Sequence, residues 1–408
     1  MIIQKEIRMK IISVEVKNYR SLKDVKVGSF KTINMLYGYN NTGKSNFLRF
    51  IEQIFSRKGR IEEITYDENG ITRTERRRQV FGWWEGEFNH SAFMFTDDDK
   101  DSKITFKILM EIKHSELGKL KEKLMKDYLN KSHDSATICL EGEISSVTST
   151  DSKILLTKVM VNRKMAYDFA AAQGTNNYFP SSKSLIGQAE PLNSLLAIFN
   201  DCVLFLSNDR YLLDEKEQPR ISEELSAQNA KNWLFEYYMD SQKHDSFEKF
   251  ISFIKKYQCE HKVEPAAKIA WQHWPLSSGD IGFSRFGQNI ELMLRNVKGR
   301  FPLASYGTGV QQILYILAKL FFTKSPIVLV EEIELNLSPT SQRELIINMQ
   351  RLLGTNQLNQ LLFTTHSNYF LGRIDFQVFQ AVLDDKGYTD IKGAKIADKK
   401  RFSRPDIN

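Results

Sequence analysis

Residues 38–45 read Gly-Tyr-Asn-Asn-Thr-Gly-Lys-Ser, a G-x-x-x-x-G-K-S run, and its flanks restrict the fold more than any other stretch of the chain. The segment TINMLYG entering it is β-rich, and NFLRFIEQIF leaving it places Phe47, Phe50, Ile51 and Ile54 at helical spacing. Strand, glycine-bearing loop and helix in that order turn backbone N–H groups and a helix N-terminus toward one point, which suits a phosphate. Gly38 and Gly43 let the backbone wrap the anion, Lys44 brings a point charge to β and γ phosphates, and the Ser45 hydroxyl ligates a magnesium ion bridging them. ATP with Mg2+ is therefore the expected ligand. Gly38, Asn40, Asn41, Thr42, Gly43, Lys44, Ser45 and Asn46 are its candidate contacts.

Three later segments complete a constellation. Ile327 to Val330 is a wholly apolar strand ending in Glu331 and Glu332. Carboxylates at a buried strand's end are expensive unless compensated. A metal and a water would do so, Glu331 serving the magnesium and Glu332 orienting or deprotonating the attacking water; solvated glutamates opening a loop are the plainer alternative. LLFTTHS is another apolar strand with His366 at its carboxyl end, where open α/β sheets hold ligands, so His366 is a candidate sensor of the γ phosphate. Between these lies Ser305-Tyr306-Gly307-Thr308-Gly309 before VQQILYILAKLFF, a small-residue loop opening a helix. Such a loop either presents donors to an anion or simply begins a helix.

Elsewhere the opening KIISVEVKNYRSLKDVKV is β-like, as is Ala136 to Val161, and Ser222 to Tyr257 is mostly helical. Residues 113–131 read as a basic amphipathic helix with Leu117, Leu120, Leu124 and Tyr128 on one face, most simply a solvated insertion helix. Asn176 to Lys183 reads as a loop, and AWQHWPLSSGDIGFSRFGQNIELMLRNVKGRFPLASYG as short strands and turns. The expected division is 1–110 and 261–408 as two lobes of one head, with 111–260 a compact insertion, largely helical with some β.

Bulk properties narrow the classes. The three cysteines, Cys139, Cys202 and Cys259, have no partner at ligand spacing, which suits a reducing cytoplasm. The most apolar window, Ile313 to Val330, is broken by Lys319, Lys324 and Pro326, short of the roughly 20 residues a membrane span needs, and the N-terminus lacks a secretory pattern. A soluble, cytoplasmic chain without a membrane partner is expected. The net charge of +7 is compatible with DNA as a ligand without requiring it.

Taken in order, VEVKNYRSLKDVKV, GYNNTGKSN, SYGTG-VQQ, VEEIELNLSP and TTHS resemble the ABC ATPase heads of the RecF, structural-maintenance-of-chromosomes and overcoming-lysogenization-defect group. The resemblance implies an α/β, ABC-type P-loop head, with a mixed sheet flanked by helices and a compact helical and β insertion. It implies that Ser305 and Gly307 belong to a signature loop meeting the γ phosphate on a partner subunit, so that the chain forms a homodimer or higher homo-oligomer. Several positions depart from the pattern. Glu331 stands where an aspartate is usual, Glu332-Ile333-Glu334 replaces E-P-E and implies slow ATP hydrolysis, and Leu337-Ser338-Pro339 replaces Leu-His-Pro. Gln79 is a Q-loop candidate by position only.

The stretch between Lys44 and Ser305 is longer than in a transporter domain, too short for a long coiled coil, and the stretch after His366 is too short for a Toprim nuclease. The resemblance therefore implies an ATPase subunit of a bacterial anti-phage defence system, similar to Septu, PARIS or retron-associated ATPases, with a nuclease or toxic effector supplied in trans. The alternatives are a RecF-like DNA repair ATPase and an ATP-switched scaffold. Arg73, Arg76, Arg77 and Arg78, the Lys119 to Lys131 helix, and Lys399, Lys400, Arg401 and Arg404 are the candidate DNA-backbone patches, each otherwise solvated surface. Arg20 and Arg210 each either contact nucleotide or pair with an acidic neighbour.

Overall fold

The structure is a computed structural model. It describes residues 9–55, 61–68, 71–78, 103–117, 134–146, 152–168, 199, 202–208, 210, 215–216, 225–227, 229–259, 281–286, 289–296, 299–323, 325–338, 341–342, 345, 349, 353, 358–370 and 376–394. The chain divides into two compact units, one of residues 1–205, 325–332 and 352–408, the other of 206–324 and 333–351.

In chain order the elements begin with β1 (Met9–Tyr19), β2 (Leu22–Gly28), β3 (Ile33–Tyr37) and α1 (Lys44–Phe55). The hairpin β4 (Ile61–Glu68) and β5 (Ile71–Arg78) follows, then β6 (Ile104–Lys113), β7 (Ser135–Ser146), β8 (Ser152–Val161), β9 (Lys164–Asp168), β10 (Val203–Leu206) and the short β11 (Glu215–Lys216). Next come α2 (Ala230–Met239), α3 (His244–Cys259), β12 (Ile281–Phe286), β13 (Asn289–Asn296), β14 (Gly299–Pro302) and α4 (Thr308–Thr323). The last strands are β15 (Ile327–Val330), β16 (Gln360–Thr365), β17 (Gln377–Leu383) and β18 (Thr389–Gly393).

The first unit is built on two six-stranded sheets. One has the order β2-β1-β6-β7-β8-β9 with antiparallel neighbours throughout. Its strands alternate, as a sheet with one covered face should: Val14 and Val16 of β1 and Ile104, Phe106, Ile108 and Met110 of β6 are buried while their neighbours are not. The other sheet is mixed, in the order β10-β15-β16-β3-β17-β18. Strands β15, β16, β3 and β17 are parallel, and β18 turns back antiparallel on β17. Both β15 and β16 are buried at every residue, the pattern of a strand covered on two faces.

One hydrophobic core joins both sheets to the buried stripe of α1, Phe47, Leu48, Phe50, Ile51, Ile54 and Phe55. Tyr19 and Phe106 of the antiparallel sheet meet Phe50 edge-on, with centroids 5.2 and 6.0 Å away. A single glutamine stitches the sheets at their backbone. The register of β1 slips between Ile11 and Ser13, and Gln360 fills the gap, its Oε1 accepting from Ile11 N at 2.8 Å and its Nε2 donating to Ile11 O at 2.8 Å.

In the second unit α2, α3 and α4 share an aromatic cluster: Phe322 packs on Trp233 and Phe250, and Phe321 on Phe250 and Phe253. Strands β11 to β14 form an antiparallel sheet that leads into the loop before α4. The fold is thus α/β, a P-loop head with a mixed sheet, flanking helices and helical and β insertions, as expected.

Within 111–260 the described residues include β7 to β9, which extend the first sheet, and the helices α2 and α3. His114 to Leu117 form a single 3-10 turn after β6, and the remainder of the expected basic helix lies outside the described residues, as do the 176–183 loop, Gln79 and the basic positions 399–404. Arg73, Arg76, Arg77 and Arg78 fall on β5, paired in backbone register with β4.

Candidate functional site

Parallel register brings the candidate residues to one edge. Val330 pairs with Phe363 and Thr365 with Tyr37, so β15, β16 and β3 finish together. Glu331 and Glu332, His366, and Gly38 consequently leave the sheet at the same carboxyl edge, although they come from three distant stretches of sequence.

The loop at residues 38–45 is packed tightly enough to dictate its glycines. Gly43 has φ +82°, and a Cβ built there would overlap Thr389 Oγ1 and stand 2.7 Å from Ser21 Oγ. At Gly38 a Cβ would run into the Ala381 carbonyl oxygen and approach Thr42 Oγ1 to 2.9 Å. Asn41 also takes a left-handed φ of 62°, which asparagine tolerates better than most residues. Thr42 Oγ1 donates to Tyr39 O at 2.9 Å. Lys44, only 4% exposed, donates from Nζ to the Gly38 and Tyr39 carbonyls at 2.9 and 2.6 Å, so its ammonium is held over the loop. The helix starts at once: Phe47 N donates to Gly43 O at 3.1 Å, leaving the first-turn amides of α1 facing the loop. Asn40 and Asn41 are exposed beside this cradle, and Ser45 and Asn46 half-buried.

Polar residues from elsewhere brace the loop. Ser21 Oγ accepts from Asn46 Nδ2 at 3.0 Å and from Thr389 Oγ1 at 2.7 Å, while Thr389 N donates to Ser21 O at 2.8 Å. Arg20, in the β1–β2 turn at φ 50°, donates from Nη1 to Asn46 Oδ1 at 3.2 Å. The structure therefore brings Arg20 to the loop, through Asn46. Arg210 is buried and belongs to the second unit.

The two glutamates occupy different surroundings. Glu331 is 2% exposed and receives Arg49 Nη2 at 3.2 Å. Glu332 is held at φ 46°, a strained conformation for a residue with a Cβ, and its amide donates to Thr364 Oγ1 at 2.8 Å. Glu332 Oε1 lies 3.8 Å from His366 Nε2, each side chain about a third exposed. The neighbouring Ser367 N donates to Thr365 Oγ1 at 2.9 Å, fixing the strand end that carries the histidine.

The signature-loop candidate lies in the second unit. Leu303–Ser305 is a 3-10 turn after β14, Tyr306 OH donates to Leu294 O at 3.3 Å, and Val310 N donates to Gly307 O at 3.0 Å as α4 begins. Ser305, Gly307 and Thr308 are exposed, and a Cβ at Gly307 would meet nothing within 4 Å. Sequence reasoning missed Ser21, Arg49, Thr364 and Thr389. No spacing rule marks them, since each is an isolated polar residue whose relevance arises from a partner far along the chain.

A magnesium ion fits the donor set found here. The Ser45 hydroxyl at the head of α1 and the Glu331 carboxylate at the end of β15 are hard oxygen donors, and the near-complete enclosure of Glu331 calls for positive charge.

The family model described as AAA ATPase domain matches residues 9–371. No curated protein matches the chain. Among solved structures, it is similar to an SMC head bound to the C-winged helix domain of ScpA, with a TM-score of 0.49 and 12% identity over 95% of this chain and 99% of that one. The SMC head domain from Thermotoga maritima gives a TM-score of 0.40 and 11% identity, covering 95% and 100%. The recombination mediator RecF-ATPrS of the RecFOR pathway gives 0.42 and 12%, covering 96% and 100%.

Proposed function

Because the chain belongs to the AAA ATPase domain family, we propose that it is an ATP-hydrolysing subunit that assembles through nucleotide and controls a nuclease or toxic effector supplied in trans, in an anti-phage defence system. The observation that carries the ATPase part is the meeting of the Lys44 loop with Glu331, Glu332 and His366 along one sheet edge. The defence role rests on the motif resemblance.

In this reading residues 1–110 and 261–408 supply the nucleotide-binding lobes and 111–260 an inserted segment. The amides of residues 38–46 and the first turn of α1 take the phosphates, with Asn40, Asn41, Thr42 and Asn46 lining them, and Lys44 turns from its carbonyl partners to the β and γ oxygens. Ser45 and Glu331 hold Mg2+, which supplies charge neutralisation to the phosphates when bound. Glu332 accepts a proton from the attacking water at its carboxylate, and His366, next to it, meets the γ phosphate. Ser305 and Gly307, exposed in one copy, reach the nucleotide of a second copy, making a homodimer or larger ring the working state.

The test is ATP turnover and native mass of the wild type, Lys44→Ala and Glu332→Gln, each alone and with the product of the adjacent gene. Lys44→Ala should lose nucleotide binding. Glu332→Gln should keep binding, lose turnover by about 10²- to 10⁴-fold, and accumulate an ATP-bound assembly that captures the neighbour. Turnover that appears only with duplex DNA, with no protein captured, would replace the trans-effector reading by a RecF-like one; near-unchanged turnover in Glu332→Gln would leave a nucleotide-switched scaffold.

A further inference from the structure

Arg49 follows Ser45 by four residues on α1, so the two side chains leave the same face of that helix. Its Nη2 stands 3.2 Å from Oε2 and 3.4 Å from Oε1 of Glu331. Glu331 is nearly enclosed whereas Arg49 is 39% exposed, so the guanidinium reaches in from the surface to a carboxylate that does not reach out. An enclosed carboxylate requires a countercharge from some source. A divalent cation would coordinate the same two oxygens. Arginine and a metal would therefore address one carboxylate, the arginine from the helix face that also carries Ser45.

The pairing is also exchangeable in form. One nitrogen of Arg49 serves both oxygens, in place of the two-nitrogen fork that makes the strongest arginine–carboxylate pairs, and its buried Nε makes no hydrogen bond. We propose that Arg49 is the resident countercharge of Glu331: it holds that carboxylate in place when no cation is bound and competes with Mg2+ for it. Arg49 is then a positioning residue that sets how readily the metal is taken up. The inference rests on reading Glu331 as the metal carboxylate.

The experiment is thermal melting of the full chain without nucleotide, with and without MgCl2, for the wild type, Arg49→Met and Arg49→Met/Glu331→Gln. Arg49→Met should melt below the wild type, and Mg2+ alone should raise its Tm by roughly twice the wild-type response or more, because the cation restores a lost countercharge. The double variant should lose that added response. An Arg49→Met response no larger than the wild type's, or one that persists in the double variant, overturns the proposal. Should Arg49→Met fail to fold, Arg49→Lys, which keeps a charge on a differently shaped head, must still show a Mg2+ response different from the wild type's, and an identical response overturns the proposal equally. ATP binding by the wild type is titrated separately, so failure of the ATPase reading appears there and not in the melting comparison.

Discussion

The loop at residues 38–45 and the loop at residues 305–309 are both glycine-bearing turns that open a helix, yet the fold treats them differently. At Gly43 the space for a Cβ is already filled by Thr389 and Ser21, and φ is positive. At Gly307 the space is open. Folding of the chain itself therefore demands glycine in the first loop. In the second loop Gly309 is also confined, a Cβ there standing 2.9 Å from the Asn336 carbonyl oxygen, but Gly307 is not, and any requirement for glycine at 307 must come from a body that approaches after folding. The first loop is shaped and closed over by the fold; the second has an exposed surface at the head of α4.

The largest expected effect follows directly. Gly43→Ala should destabilise the protein by about 2–4 kcal/mol, combining strain at positive φ with steric overlap, and abolish nucleotide binding. Gly307→Ala should leave chemical melts within about 0.5 kcal/mol of the wild type while lowering ATP-dependent assembly and turnover. Equal melting losses in the two variants would break the comparison, and unchanged assembly in Gly307→Ala would remove residues 305–309 from the proposed site. A smaller effect probes the bracing of the first loop. Thr389→Val removes the hydrogen bond to Ser21 at nearly constant volume and should cost about 1 kcal/mol, with a severalfold loss of ATP affinity by calorimetry. If affinity is untouched, the loop holds its shape without β18.

The smallest effect lies one layer behind. Burial pushes the Tyr19 hydroxyl from 10.0 up to about 12, and that hydroxyl donates to Gln53 Oε1 of α1 at 2.9 Å. The folded value is raised, so the stability it contributes is present in full below pH 10 and is lost as pH rises through the folded value. Tyr19→Phe should cost about 0.5–1.5 kcal/mol near neutrality, and its deficit against the wild type should shrink as pH rises from 10 towards about 12 in denaturant melts. A deficit that stays constant would mean the hydroxyl titrates alike in both states.

Much of this architecture was legible residue by residue. The strand at Ile327–Val330 could be read from its unbroken apolar run, and α1 from the spacing of Phe47, Phe50, Ile51 and Ile54 behind the phosphate-loop pattern. The helix at 230–239 fell inside the stretch expected to be helical, and the helix at 244–259 ran two residues past its end at Tyr257. Asp384 and Asp385 lie in the turn between β17 and β18, with Asp384 Oδ1 accepting from the amides of Lys386 and Tyr388 at 2.9 and 2.8 Å. What could not be read was which strands pair: nothing local announces that β1 lies beside β6 while β3 lies between β16 and β17.

The sequence by itself determined the order of the phosphate loop, the acidic strand end and the strand-end histidine, because each is written in a short window where periodicity and side-chain chemistry act locally. Only the tertiary structure decided that Thr389 closes over Gly43, that Thr364 holds the twisted backbone of Glu332, and that Arg49 stands against Glu331. Those contacts join residues far apart in the chain, and a polar side chain finds its partner only after strand register and packing have settled which groups are left facing each other.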